Sequence, residues 1–275
     1  MIVEKEKLSL DTWKETVPLL VQLVLERHPE IASNIISSHR ARIQNLVANF
    51  HQQTIAYGPF KGFKFDPASS WGEDRGSMIL GIYEQEILES LEQISSRFKT
   101  FIDLGAADGY YGIGVLVNTI FSKSYCFEIS ENGREVIAKN AALNNVIDKV
   151  VIKGEARKDF YEGIPSEDLK SSVLLVDIEG GEFDLLDKNT FAAFSHSIIF
   201  IELHHQFFED GENKLSKLIA DAKDTHLIDV LTMSNRNLSK FDELNTLNDT
   251  DRWMLCSEGR PFMMKWLRLD PIEKT

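Results

Sequence analysis

Three carboxylates recur where successive strands would end: Asp103 in FIDLGAADGYYGIG, Glu128 in YCFEI, and Glu155 just after KVVIK. Asp103 is followed by Gly105, Gly109, Gly112 and Gly114, and glycines let a backbone approach a bound molecule closely. A pyrophosphate binds bare backbone N–H groups and suffers beside carboxylates, yet this turn carries Asp103 and Asp108 and no basic residue. The pattern favours a cationic ligand. Glu128 can accept hydrogen bonds from both hydroxyls of a ribose, and Glu155 from an adenine amino group. Ala106, Ile129 and Ala156 adjoin these acids and complete the expected lining.

A molecule with a ribose, an adenine and positive charge but no phosphate is S-adenosylmethionine. The dinucleotide alternative reads poorly. Gly105 is followed by Ala106, Ala107 and Asp108, and Val117 stands where a third glycine should follow Gly112 and Gly114. Neither Tyr110 nor Tyr125 has a lysine four residues later, which weakens a nicotinamide-dependent oxidoreductase further.

A second group of residues could move protons. Asp177, in SVLLVDIEGGEF, should stand at a strand end facing the same crevice, to hold an acceptor, take its proton, bind a cation or cap a following helix. Glu179 and Glu182 read as loop-organising or first-turn acids. In SIIFIELHH, strand alternation puts Glu202 and His204 on one face and His205 on the other. His204, oriented by Glu202, is therefore the expected general base. Asp177 with Glu202 or His204 could instead form a Mg²⁺ or Mn²⁺ site, using Asp249 or Asp251 for a further oxygen, but the metal-free arrangement is expected. Arg75, Arg236, Arg252 and Arg260 are candidates for an anionic or sugar-linked acceptor, the last two flanking Trp253.

The elements that must hold these residues follow from hydrophobic period. Apolar runs at 101–104, 125–129, 149–153, 172–178, 197–203, 226–233 and 262–269 alternate with helical stretches at 132–142, 182–194 and 213–222. That is an α/β fold, a doubly wound, mostly parallel seven-stranded sheet covered on both faces. Residues 11–50 read as helical throughout, with Pro18 and Pro29 in first turns. Ile82, Ile87, Leu91, Ile94 and Phe98 mark a helix leading into the sheet. The expected organisation is a helical appendage over 1–53 and a catalytic domain over 54–275, with an acceptor-binding insertion at 234–261. The appendage should cover part of the sheet or pair with a second subunit.

Composition closes off other classes. The 275 residues carry 43 acidic and 30 basic side chains, a net charge of −13 that opposes broad nucleic-acid or anionic-membrane binding. Cys126 and Cys256 are too few for a disulfide framework, and MIVEKEKLSLDTW has no signal-peptide core, so a cytoplasmic protein without membrane insertion is expected.

Four segments resemble the FkbM-like family of class I S-adenosylmethionine-dependent methyltransferases: LGIYEQEI, FIDLGAADGYYG, LLVDIEGGEFDLL and IIFIELHH. The resemblance covers residues 54–206, and its most specific part is the Asp-x-Glu-Gly-x-Glu pattern matched by Asp177, Glu179, Gly180 and Glu182. It implies methyl transfer to a hydroxyl of a sugar, glycan or secondary metabolite. It also implies that the region of Tyr83 and Glu84 caps the cofactor pocket, where Glu84 would meet the methionine ammonium. Ala107 and Asp108 depart from the family's pattern. A noncatalytic adenosyl-binding or scaffold protein is the alternative from another class.

Overall fold

The computed structural model describes residues 10–68, 73–94, 96–118 and 121–273, with side chains from residue 17 onward. The N-terminal stretch read for a signal peptide lies mostly outside them.

Two helices, α1 (Leu10–Arg27) and α2 (Pro29–Phe50), precede a short α3 (Arg75–Ile79) and α4 (Gln85–Ile94). The body then alternates β1 (Thr100–Leu104), α5 (Tyr110–Val117), β2 (Lys123–Phe127), α6 (Glu131–Leu143), β3 (Val150–Lys153), α7 (Ser166–Leu169) and β4 (Ser172–Val176). Next come α8 (Glu182–Leu185), α9 (Lys188–Ala193), β5 (Ile198–Glu202), α10 (Gly211–Ala222), β6 (His226–Thr232), α11 (Asp249–Met254) and β7 (Lys265–Pro271). Every residue of β1, β4 and β5 is buried, which is why these strands read as unbroken apolar runs.

The seven strands form one sheet in the order β3-β2-β1-β4-β5-β7-β6. Pairings from β3 to β5 are parallel, and β7 runs antiparallel to both its neighbours. Side-chain alternation divides the core in two: Phe101, Val173 and Phe200 pack under α2, α4 and α5, while Ile102, Leu174 and Ile199 face the opposite layer. The chain leaves β1 towards β2 and later returns to β1's other edge as β4. A crevice therefore opens at the carboxyl ends of these strands. The register places Leu104 opposite both Phe127 and Val176, so Gly105, Glu128 and Asp177 emerge side by side.

Several boundaries differ from expectation. The single helix read over 182–194 is two, because Leu186 is extended and the Asp187 side chain accepts from the Asn189 and Thr190 N–H groups to start α9 afresh. Pro18 lies inside α1 rather than in a first turn. The inner face of α2 belongs to the core through Ile43, Val47 and Ala48, with buried Arg40 and Gln44 beside them. Segment 234–261 is packed inward by Phe241, Leu244 and Leu255. It is tied to α2 by His39–Asp251 at 2.6 Å and His51–Glu243 at 2.8 Å. Asp251 is thereby committed to α2 and Asp249 pairs with Arg252, so neither supplies the further oxygen expected for a metal. Among the described residues no helix is long and apolar enough to cross a membrane.

Candidate active site

The crevice has two lobes, of about 750 and 420 Å³, which share Gly105, Ala107, Asp177 and Glu179. The shared wall depends on Gly105. Its φ is +89°, and a Cβ there would fall 1.7 Å from the Asp177 carbonyl oxygen. The Asp177 N–H donates to the Leu104 carbonyl at 2.9 Å, so the two strand ends are locked together at this point.

The larger lobe contains Glu128, Ile129, Glu155 and Ala156, with Phe127, Ile178 and Leu185 adding apolar surface. Glu128 accepts from the Ala107 N–H at 2.8 Å and the Ser130 N–H at 2.7 Å. Each oxygen keeps a lone pair for a ligand hydroxyl. Glu155 is half exposed and pairs with Arg157 at 3.0 Å, so it is the weaker of the two acids as a ligand contact.

The smaller lobe is crowded with carboxylates. Asp103 accepts from the Gly112 N–H at 2.9 Å, and burial outweighs that bond to push it up to about 7. Asp108 does not present a free carboxylate as expected, because it is buried against Arg75 at 2.8 Å. Glu84 accepts from the Tyr111 hydroxyl at 2.5 Å and pairs with Arg260. Burial and the charge of Glu202 nevertheless push it up to about 8. Asp177 is held well above the carboxylate range, first by burial and then by Glu202. Its Oδ1, like the buried Tyr110 hydroxyl in the same lobe, has no hydrogen-bond partner among the described residues.

Behind this wall lies His204. Its Nδ1 is 3.2 Å from Glu182, and its Nε2 is 3.3 Å from Glu202, 3.5 Å from Glu179 and 3.7 Å from Asp177. Glu182, fully buried, also accepts the backbone N–H groups of Gly180 and His204. Burial opposes a charge on His204, but the bonds to Glu182 and Glu202 prevail and push it up to about 10. Those bonds favour the imidazolium, a form with no lone pair for an acceptor proton. Burial works against ionised Glu202 too, yet His204 and Arg260 bring it down to about 2.

His205 lies apart, 3.8 Å from Glu212. The four candidate arginines are all engaged within the fold. Arg75 is paired with Asp108, Arg236 with Glu86 at 2.5 Å, and Arg252 with Asp249, while Arg260 is inserted among Glu84, Glu202 and Glu258. Asp177, Glu179 and His204 each offer one ligand atom, all within 4.8 Å of one another. A protonated imidazole is a poor ligand, so this set fits a divalent cation only if His204 is first deprotonated.

Sequence reasoning missed Tyr110, Tyr111 and Glu258. The tyrosines directly follow the glycine turn, a signal that was available, whereas nothing in spacing links Glu258 to Glu84.

The strand order defines the class: this is a Rossmann-like fold of the class I S-adenosylmethionine-dependent methyltransferases. Within it, residues 164–246, which carry Asp177, Glu182 and His204, match the methyltransferase FkbM domain, and fold and match together support a catalytic S-adenosylmethionine-dependent methyltransferase. Similar solved structures include the B. subtilis tRNA methyltransferase TrmK, with 8% identity over 66% of this chain and 64% of that one and a TM-score of 0.44. Precorrin-6y methyltransferase from Geobacter metallireducens shows 9% identity over 71% and 92%, with a TM-score of 0.44. M. jannaschii TYW2, in complex with AdoMet, shows 12% identity over 69% and 76%, with a TM-score of 0.39. Likenesses this distant add nothing on substrate, and the fold assignment stands on strand order. No curated protein matches the chain.

Proposed function

We propose that the protein is an S-adenosylmethionine-dependent O-methyltransferase whose acceptor is a hydroxyl of a sugar, glycan or secondary metabolite. The observation that carries this is the smaller lobe, where Glu84, Asp103 and Asp177 are all pushed up because buried negative charge lacks compensation. A sulfonium and an ammonium would supply it. The orphaned Asp177 Oδ1 and Tyr110 hydroxyl and the Gly105 wall fit such a ligand, and the apolar surface of the larger lobe fits an adenine. A dinucleotide pyrophosphate would meet carboxylates instead.

When bound, S-adenosylmethionine supplies an electrophilic methyl group. Glu128 holds the ribose hydroxyls and Glu84 the ammonium side. Asp177 stands where both lobes meet and takes the hydroxyl proton on Oδ1. Burial and Glu202 hold the Asp177 carboxyl above the ordinary range, so once the incoming positive charge has displaced its proton it is a stronger base than an ordinary carboxylate. His204 remains charged, held by Glu182, and keeps Glu202 ionised beside Asp177. Segment 234–261, which delivers Arg260 to the cluster, forms the acceptor side. Closure over the acceptor is chiefly a matter of positioning.

The test is methyl transfer from labelled S-adenosylmethionine to a panel of free sugars, glycosides, phenols and amines. Transfer to hydroxyls is expected, with Asp177→Asn lowering turnover about a hundredfold or more while cofactor affinity stays within a few-fold. Transfer to amines alone would overturn the acceptor assignment. Loss of activity in EDTA with recovery in Mg²⁺ would replace the Asp177 base by a cation held at Asp177, Glu179 and His204.

A further inference from the structure

The exposed apolar side chains of this protein are unevenly placed. On α1, Val17, Leu19, Leu20, Val21, Leu23 and Val24 are all between 38% and 61% exposed. At 100° per residue, Val17, Leu20, Val21 and Val24 share one side of the helix, while Leu19 and Leu23 lie on the other. One neighbouring helix cannot cover both sides, and α2 leaves all six open. On α2 the inner face is spent on the core. Its outer face shows Ile35 and Leu46 at about half exposure and Phe50 at 68%. Leu46 and Phe50 run on into an apolar groove of about 480 Å³, walled on its far side by Leu244 and Leu247 of segment 234–261.

We infer that the two N-terminal helices form a symmetric dimer interface, in which α1 of a second copy of this chain covers the outer face of α2 and enters that groove. Area favours this occupant. These nine exposed apolar side chains on the two helices amount to roughly 800 Å² per protomer, the area that each partner contributes to a standard stable interface. A two-fold interface needs a single self-complementary patch, and a helix apolar on two opposite sides fits between two helices of a partner. Charge disfavours the competing occupant, an anionic lipid surface. The sequence LDTWKETVPLLVQLVLER has three acids against two bases, whereas membrane-lying helices are rich in Lys and Arg on their polar face. This dimer is independent of the methyltransferase reading, since none of its residues lines the crevice.

The experiment is sedimentation velocity of the 275-residue chain near 10 µM, with far-UV circular dichroism as the check on folding. The expected species has twice the 31.3 kDa chain mass. Leu20→Glu and, separately on the other helix, Ile35→Glu should each weaken dimerisation by about a hundredfold or more, leaving folded monomers. A wild-type monomer overturns the inference. So does a dimer that survives both substitutions, or a monomer that instead binds phosphatidylglycerol vesicles.

Discussion

Glu128 and Glu84 stand on opposite sides of one shared wall and are satisfied in opposite ways. In the larger lobe, Glu128 has a backbone N–H on each oxygen, so its charge is compensated before any ligand arrives. In the smaller lobe, Glu84 has Tyr111 and Arg260, yet Glu202 and Glu258 crowd the same guanidinium, and Glu84 is pushed up to about 8. The first arrangement suits a neutral ribose, which needs acceptors and brings no charge. The second is under-compensated and becomes favourable when a cation enters.

The wall itself should be the most sensitive point. Gly105→Val puts a side chain onto the Asp177 carbonyl and forces a β-branched residue to φ +89°. We expect calorimetric S-adenosylmethionine binding to vanish and the thermal midpoint to fall by several degrees. Normal binding would mean that the two lobes are not one ligand site.

Arg260→Gln probes the crowded side. Removing one partner of a buried pair typically costs about 3–5 kcal/mol, and here three carboxylates lose a shared cation. The loss in urea unfolding should be larger at pH 9 than at pH 6, because the abandoned acids can stay protonated at the lower pH. Equal losses at both would show that the cluster is already balanced without Arg260.

The same imbalance sets a pH window for the ligand-free protein. A carboxyl whose folded pKa is raised binds its proton more firmly folded than unfolded. Stability attributable to Glu84 therefore falls as pH climbs from the ordinary carboxylate value through about 8, and Asp103 adds to the fall up to about 7. The thermal midpoint should drop across pH 5 to 8, and the increase given by saturating S-adenosylmethionine should grow over that range. S-adenosylhomocysteine, without the sulfonium charge, should give a smaller growth. Identical pH profiles for the two would argue that the lobe does not sense the sulfonium.

The compensated side should respond least. Glu128→Gln should weaken cofactor binding by roughly tenfold, in line with ~1.5 kcal/mol for a hydrogen bond to a charged group. Glu155→Gln, half exposed and already paired with Arg157, should change it by about twofold or less. A reversed order would exchange the ribose and adenine ends of the larger lobe.

What could be read from the chain alone follows the same division. Strands buried on both faces leave unbroken apolar runs, so the sheet was legible, and the polar residue ending each run gave Asp103, Glu128 and Asp177. All ten expected cofactor contacts line one lobe or the other. Their charge states were not legible. His204 is pushed towards the imidazolium because Glu182 and Glu202 converge on it from different elements, and spacing carries no measure of that. Asp108 looked like a ligand because its partner Arg75 lies 33 residues away on a five-residue helix with almost no apolar period. The inward packing of 234–261 was hidden for a similar reason, since Phe241, Leu244 and Leu255 follow no single period.

The claim on which the rest depends is that the smaller lobe awaits a cation. Titration calorimetry with S-adenosylmethionine and with NAD, at pH 7 in two buffers of different ionisation enthalpy, tests it most directly. We predict micromolar-order binding of S-adenosylmethionine accompanied by proton release, as Glu84 and Asp177 ionise beside the incoming charge, and no heat from NAD. Heat from NAD alone, or S-adenosylmethionine binding with no proton released, would contradict the account.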